Sequence, residues 1–107
     1  MFEEKKELFR KWLIEDKGFS TKVAGDVISR CRRLDKQVLS SLDEAVLSPQ
    51  SYLVALKDIN TYAIDMNQEK KKETLLINTL RVAMKKYCEY INPESYECYP
   101  NGNSLSR

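Results

Sequence analysis

The residues whose chemistry most clearly suggests a function in this chain are basic, and they recur in two segments. The first segment begins at residue 19. In it, a 3.6-residue period places Lys22, Ser29, Arg33 and Lys36 opposite the apolar stripe of Val23, Val27, Cys31 and Leu34. The second segment, residues 79–91, carries another basic outer face beside an apolar one. A helix that buries one side and exposes arginine and lysine on the other can lie against phosphate groups. We therefore consider nucleic acid first among the possible partners.

The distribution of charge singles out the same two regions. The formal net charge is only +2, from 18 basic and 16 acidic residues, and by itself it predicts no partner. Residues 1–36 and 67–92 are each net positive, whereas residues 37–66 are net negative. If the two basic helices lie side by side, the fold has one cationic face. The alternative is a set of solvated helix surfaces on which opposite charges are interspersed.

Cysteine and histidine content limits the chemistry further. The chain has three cysteines, no CxxC pair and no histidine, so the usual ligand sets for zinc or haem cannot be assembled. We expect no metal and no cofactor. Cys31 and Cys88 fall on apolar helical faces and are interpreted as core residues in a reducing compartment. The charged N-terminus and the absence of a long apolar run predict no signal peptide and no membrane helix, hence a cytoplasmic protein.

The elements that must position the basic residues are helices. Four long helices are predicted at about 2–16, 21–36, 49–66 and 73–91, with a short helical turn at about 42–46. Gly18 ends the first helix, Ser20 caps the second, and Ser48 followed by Pro49 begins the third. Asn92-Pro93 ends the last helix. Residues 1–92 are thus predicted to form one helical domain, followed by a flexible or loosely packed tail at 93–107.

Each predicted helix has an apolar stripe at helical spacing, and no segment alternates like a β-strand. An all-α, orthogonal four-helix bundle follows, with the short turn as an extra element. The predicted stripes comprise Leu8, Phe9, Trp12 and Leu13; Val23, Val27, Cys31 and Leu34; Tyr52, Leu56, Ile59, Ala63 and Met66; and Leu76, Leu80, Ala83, Met84, Tyr87 and Ile91.

A family resemblance covers about residues 8–91. The stretch Phe9, Trp12-Leu13, Gly18-Phe19-Ser20 and the later run 80–91, LRVAMKKYCEYI, resemble the N-terminal, SAM-like core-binding domain of tyrosine recombinases of the phage integrase family. That pattern opens on an F-x-x-W/Y-L stretch and closes on an L-R-x-A-L-x-x-Y helix. This chain departs from it in having Val23 where the family usually has threonine, and Val27 where it often has tyrosine.

The resemblance implies a module for DNA integration and recombination that clamps one side of duplex DNA with its second and fourth long helices in the major groove. Basic residues would mainly hold phosphates, and Ser29 or Asn78 would reach base edges. Binding by the isolated module would be weak. The implied DNA-binding residues are Lys22, Ser29, Arg30, Arg32, Arg33 and Lys36 on the second helix, and Asn78, Arg81, Lys85 and Lys86 on the last.

No enzymatic activity is predicted for this polypeptide. Recombination needs a tyrosine nucleophile together with arginines and usually a histidine, which in the family belong to a C-terminal domain. None of the six tyrosines here lies next to such a set, and the chain has no Gly-rich phosphate loop or paired-carboxylate motif. The chain is interpreted either as the front domain of an integrase-like protein, with a catalytic domain as partner, or as a small stand-alone protein that kept the clamp.

A second class of function remains open on the sequence alone. The same bundle could serve as a protein-interaction module without binding nucleic acid, meeting another chain through the weakly acidic helix at 49–66 or through the tyrosine-bearing tail.

Overall fold

The computed structural model describes residues 2–100, and within them every regular element is helical, which confirms the predicted all-α bundle. A π-helical turn at Leu34–Val38 continues the second helix, and a 3₁₀ turn at Tyr96–Cys98 follows the last. The α-helices are α1 (Phe2–Glu15), α2 (Thr21–Arg33), α3 (Leu42–Ala45), α4 (Pro49–Asp65) and α5 (Lys70–Ile91).

The predicted helix boundaries rest on caps that the structure contains. Gly18 adopts a φ of 73° just beyond α1, in the left-handed region that glycine occupies without a steric penalty. The Ser20 hydroxyl accepts a 3.1 Å hydrogen bond from the Val23 amide at the start of α2. At α4, Pro49 occupies the first turn, and Ser48 and Ser51 form a reciprocal capping box.

The end of α2 differs from the straight helix predicted through residue 36. From Leu34 the chain takes a wider turn, in which the Leu39 amide donates to the Leu34 carbonyl at 2.8 Å, an i to i+5 hydrogen bond. The Asp35 carboxylate then accepts from the Leu42 amide at 2.9 Å and so fixes the start of α3. The π-helical turn rotates Lys36 relative to an ideal helix, a change that the hydrophobic period does not encode.

Helix α5 begins at Lys70, three residues earlier than the position predicted from the apolar stripe. The polar run of three lysines is its first turn. Asn67, with a φ of 53°, supplies the left-handed residue between α4 and α5.

One hydrophobic core joins these helices. Helix α2 packs against α1 and α5, and α4 packs against α5. Phe9, Leu34, Leu56 and Leu80 are buried at its centre, and both Cys31 and Cys88 are buried as predicted. The ring of Tyr87 meets Phe9 edge to face, with 5.2 Å between the ring centroids.

Six residues of the predicted stripes are not buried as expected. Leu8 is 64% exposed, Val23 46% and Met66 45%, while Trp12, Leu76 and Ile91 are only partly buried. Leu8 and Val23 lie outside the buried arcs of α1 and α2, so the prediction made these arcs too wide, and Met66 follows the last residue of α4. In α2 the buried arc is instead formed by Ala24, Val27, Ile28 and Cys31.

The chain continues along the bundle after α5. Tyr99 is 7% exposed, and its ring packs edge to face against Tyr52 with 5.4 Å between centroids. The rest of the predicted tail, residues 101–107, lies outside the described residues.

Candidate nucleic-acid interface

Four of the predicted DNA-binding residues share one surface at the C-terminal end of α2. The spacing of Ser29, Arg32 and Arg33 places them on one face of α2, and Lys36 follows in the π-helical turn that continues the helix. They line one shallow depression with Gln37, and no carboxylate is among the residues that line it. The lining residues are Ser29, Arg32, Arg33, Lys36 and Gln37, and we call this surface the α2 basic face.

Arg33 is held in place by α4. Its Nε donates to the Tyr62 hydroxyl at 2.8 Å, and its guanidinium carbon lies 5.3 Å from the centre of the Tyr62 ring. The Tyr62 hydroxyl in turn donates to Gln37 Oε1 at 3.3 Å. The π-helical turn brings Gln37 into this position, so the arginine and the amide are oriented together.

The opposite edge of the α2 basic face touches α1. Arg32 Nε lies 3.3 Å from Glu3 Oε2, and Lys6 Nζ lies 2.9 Å from the other oxygen of that carboxylate. The hydrogen bond from Lys6, and then the charges of Lys6, Arg32 and Lys36, lower the pKa of Glu3 against the opposing effect of burial. Glu3 therefore stays ionised and neutralises part of the positive charge at this edge.

Two further predicted residues of α2 lie outside the depression. Lys22 is exposed on the same side of the helix, seven residues before Ser29. Arg30 is half-buried and is not among the residues that line the depression.

The predicted residues of α5 are placed elsewhere. Asn78 and Arg81 line a second depression, between α4 and α5, and Arg81 Nη2 donates to Asn60 Oδ1 at 2.7 Å. Lys85 donates to the Tyr96 carbonyl oxygen at 3.2 Å. These contacts tie α5 to its own neighbours.

Lys86 is engaged in the same way. Its Nζ donates to Glu89 Oε1 at 3.4 Å and lies 5.7 Å from the centre of the Phe19 ring. Of the four residues predicted on the last helix, only Asn78 is exposed, whereas Arg81, Lys85 and Lys86 are half-buried.

One arginine of each predicted set contacts α4, and the two contacts lie on different sides of that helix. Arg33 reaches α4 at Tyr62 and Arg81 reaches it at Asn60. Residues two apart on a helix are separated by about 200° around its axis, so the two arginines contact opposite flanks of α4. Helix α4 therefore lies between these two arginines.

Gln37 and Tyr62 are site residues that the sequence analysis missed. Tyr62 is not part of the core stripe predicted for its helix, and no local pattern links it to a residue 29 positions earlier. Gln37 directly follows a predicted site residue, and only the π-helical turn explains why it lies on the same face.

One tyrosine of the core, Tyr87, is hydrogen-bonded to a carboxylate. The Tyr87 hydroxyl donates a short hydrogen bond to Asp43, which also accepts from Lys5 Nζ at 3.1 Å. Burial, followed by that hydrogen bond and the charge of Asp43, raises the pKa of Tyr87. A phenol held in its protonated form is a poor nucleophile, and this one lies in the aromatic core.

Across residues 2–100, no three histidine, cysteine, aspartate or glutamate side chains are grouped so as to hold a metal ion. Of the helices in that range, none combines the length and the apolar character needed to cross a bilayer.

Comparison with known proteins identifies no relative. No protein-family model matches the chain, and neither does any curated protein or any solved structure. The likeness to the recombinase core-binding domain therefore rests on the residues quoted for it.

Proposed function

We propose that this chain is a non-catalytic module that binds duplex DNA through the α2 basic face. One observation carries the proposal: three cations, a hydroxyl and an amide line one shallow depression on an exposed helical face, with no carboxylate among them. The family resemblance supports the same helix as a groove-facing element.

The chemistry of the face suits phosphate. An arginine guanidinium offers a planar fork of donors to phosphate oxygens, and lysine adds a mobile point charge. From Ser29 to Lys36 the face extends about 10 Å along the helix, which corresponds to about three nucleotides of one strand. Ser29 and Gln37 are the candidates for contacts to base edges.

The strength of binding follows from how many cations are available. With Lys22 included, the α2 face neutralises about three or four phosphates, so the logarithm of the affinity falls with the logarithm of salt concentration at a slope of about −3. Lys85 and Lys86 are excluded from this count because they contact Tyr96 and Glu89. The expected dissociation constant at physiological salt is about 10⁻⁴ to 10⁻⁶ M, the range of non-specific binding.

A fluorescence-anisotropy titration of a labelled duplex tests the proposal, at a series of salt concentrations from about 50 to 200 mM. The test variant is the double charge reversal Lys22→Glu and Lys36→Glu, since both lysines are exposed and their removal leaves the core intact. We expect at least a tenfold loss of affinity at low salt and a shallower salt slope.

The matched control reverses two charges away from this face. Lys57 on α4 and Lys11 on α1 are both exposed, so the pair Lys57→Glu and Lys11→Glu changes the net charge equally. Its affinity should stay within about threefold of wild type if the α2 basic face is the contact surface. Equal losses in both double variants, or no binding by the wild type at low salt, would overturn the proposal.

One observation favours the alternative, a protein-interaction module. Leu75 and Val82 are seven residues apart on the outer face of α5 and are 63% and 56% exposed. A wild-type protein that shows no affinity for DNA and elutes as a stable dimer, with the dimer lost on Leu75→Ser and Val82→Ser, would favour this function over the first.

A further inference from the structure

Arg81 has an environment that the proposed DNA contact does not explain. Its side chain runs from α5 to α4, where Nη2 donates to Asn60 Oδ1 at 2.7 Å. Its Nε is buried and has no hydrogen-bond acceptor within residues 2–100, and no carboxylate in that range forms an ion pair with it. Among residues 2–100, the hydrogen-bond partner of this half-buried guanidinium is one neutral amide.

Such an arrangement lowers the stability of the folded chain. Removing a cation from water costs free energy that an opposite charge normally offsets, and a buried donor without an acceptor adds to that cost. Burial lowers the pKa of Arg81 accordingly. Arg81 is half-buried and lines a depression, so a negatively charged group bound beside the accessible part of its guanidinium would supply the opposite charge.

Arg81 lies in a depression between α4 and α5. Polar side chains from both helices line it, together with two isoleucines that provide an apolar wall. The lining residues are Asn60, Ile64, Lys70, Glu73, Thr74, Ile77, Asn78 and Arg81.

The charges around the depression favour a singly charged ligand. Glu73 Oε2 accepts from Lys70 Nζ at 3.0 Å, so the carboxylate and the ammonium are paired with each other. Arg81 is left as the net positive charge. A doubly charged anion would be repelled by Glu73, whereas a planar monoanion matches the guanidinium fork.

We propose that this depression is a binding site for an aliphatic carboxylate. The carboxylate lies against the Arg81 guanidinium, with the amides of Asn60 and Asn78 as further donors, and the alkyl part lies against Ile64 and Ile77. The carboxylate belongs either to a free small acid or to the C-terminus of a peptide. The site is separate from the α2 basic face, since α4 lies between them.

Two-dimensional ¹H–¹⁵N NMR of the arginine Nε–H groups, with sodium butyrate as the probe, tests the proposal. We expect the Arg81 signal to shift saturably in the millimolar range and the Arg33 signal to stay in place, because Arg33 Nε already donates to Tyr62. Butyramide, which has the same shape without the charge, should shift neither signal. Sodium phosphate should act more weakly than butyrate.

Two further experiments identify the kind of molecule that supplies the carboxylate and the effect of Arg81 on stability. A short peptide ending in leucine is compared with its C-terminal amide. If the free-acid peptide binds more tightly than butyrate, the site recognises the end of a peptide chain. If it binds more weakly than butyrate, the site recognises a free small acid. The variant Arg81→Met should keep or raise the melting temperature and lose the rise in melting temperature that butyrate gives the wild type.

Several outcomes would overturn the carboxylate site. These are a linear rather than saturable response, an equal shift of Arg33, a response to butyramide, a stronger response to phosphate, or a clear drop in the melting temperature of Arg81→Met. The last result would mean that the arginine serves the packing of α4 on α5. The NMR titration of the wild type stands even if the variant fails to fold.

Discussion

The Tyr99 hydroxyl donates a 2.8 Å hydrogen bond to the carbonyl oxygen of Val46, 53 residues earlier in the chain. The side-chain amide of Asn92 donates to the same oxygen, also at 2.8 Å. The segment after α5 is thereby fastened across the connection between α3 and α4, and the Tyr99 ring closes the core beside Tyr52.

Removing the Tyr99 ring should destabilise the whole domain. Tyr99→Ala leaves a cavity beside Tyr52, and we expect a loss of about 2–4 kcal/mol in the free energy of unfolding. Tyr99→Phe should lose only about 1 kcal/mol, because Val46 keeps the hydrogen bond from Asn92. Urea unfolding followed by circular dichroism measures both. Glu97→Ala, at an exposed neighbouring position, is the control, and a Tyr99→Ala variant as stable as this control would show that the segment is not fastened.

Gly25 is expected to limit the stability of α2. A Cβ atom added there would meet only Arg10 Nη1, at 3.8 Å, an ordinary van der Waals distance. Gly25→Ala should therefore raise the free energy of unfolding by about 0.5–1 kcal/mol through helix propensity. The matched control is Gly18→Ala, where an added Cβ meets nothing within 4 Å but the φ is 73°, and this substitution should lower stability by about 1 kcal/mol. The same sign for both substitutions in urea unfolding would contradict this account.

Local signals determined the parts of the fold that were predicted correctly. Gly18, Ser20 and Ser48 mark helix ends through their own backbone and side-chain chemistry, so the ends could be located without tertiary information. The period of the apolar residues gave the buried face of each helix. The same period did not give the width of the buried face, because the burial of Val23 or Leu8 depends on contacts with residues distant in sequence.

The candidate site was predictable in residue type and less so in geometry. Ser29, Arg32 and Arg33 of α2 share a face because of their spacing alone, and Lys36 adjoins them from the π-helical turn. The placement of Arg33 and Arg81 depends instead on hydrogen bonds to Tyr62 and Asn60 of α4. A long side chain adopts the direction in which the packing of the helices provides a hydrogen-bond partner. Local periodicity carries no information on that choice.

The three cysteines should differ sharply in reactivity. Cys31 is fully buried, with its thiol directed at the Ala83 carbonyl oxygen at 3.4 Å, and burial raises the pKa of both Cys31 and Cys88. Since the thiolate is the reactive form, a disulfide reagent such as DTNB should modify one thiol per native molecule rapidly, at exposed Cys98. All three should react in denaturant. Cys98→Ser should remove the rapid phase, and a second rapid thiol would contradict the burial of the other two.

Glu89 joins the connection between α1 and α2 to the end of α5. Its carboxylate is only 8% exposed and lies between Lys17, with Nζ 2.5 Å from Oε2, and Lys86, with Nζ 3.4 Å from Oε1. Burial raises the pKa of Glu89, but the hydrogen bond from Lys17 and the charges of both lysines outweigh it and hold the pKa below the usual glutamate value.

Stability should consequently depend on the ionisation of Glu89. Because the folded pKa lies below the unfolded value of about 4.3, the unfolded chain binds more protons in the interval between them. The contribution of Glu89 is thus fully present above the unfolded pKa and is lost as the pH falls through the folded one. We expect Glu89→Gln to lower the free energy of unfolding by about 1–2 kcal/mol at pH 7, and by progressively less as the pH falls below the unfolded pKa. Urea unfolding of both proteins across this pH range measures the difference, with Glu15→Gln at an exposed position of α1 as the control. A difference between Glu89→Gln and wild type that stayed constant with pH would mean that the substitution acts through packing, and that the paired lysines do not set the ionisation of this carboxylate.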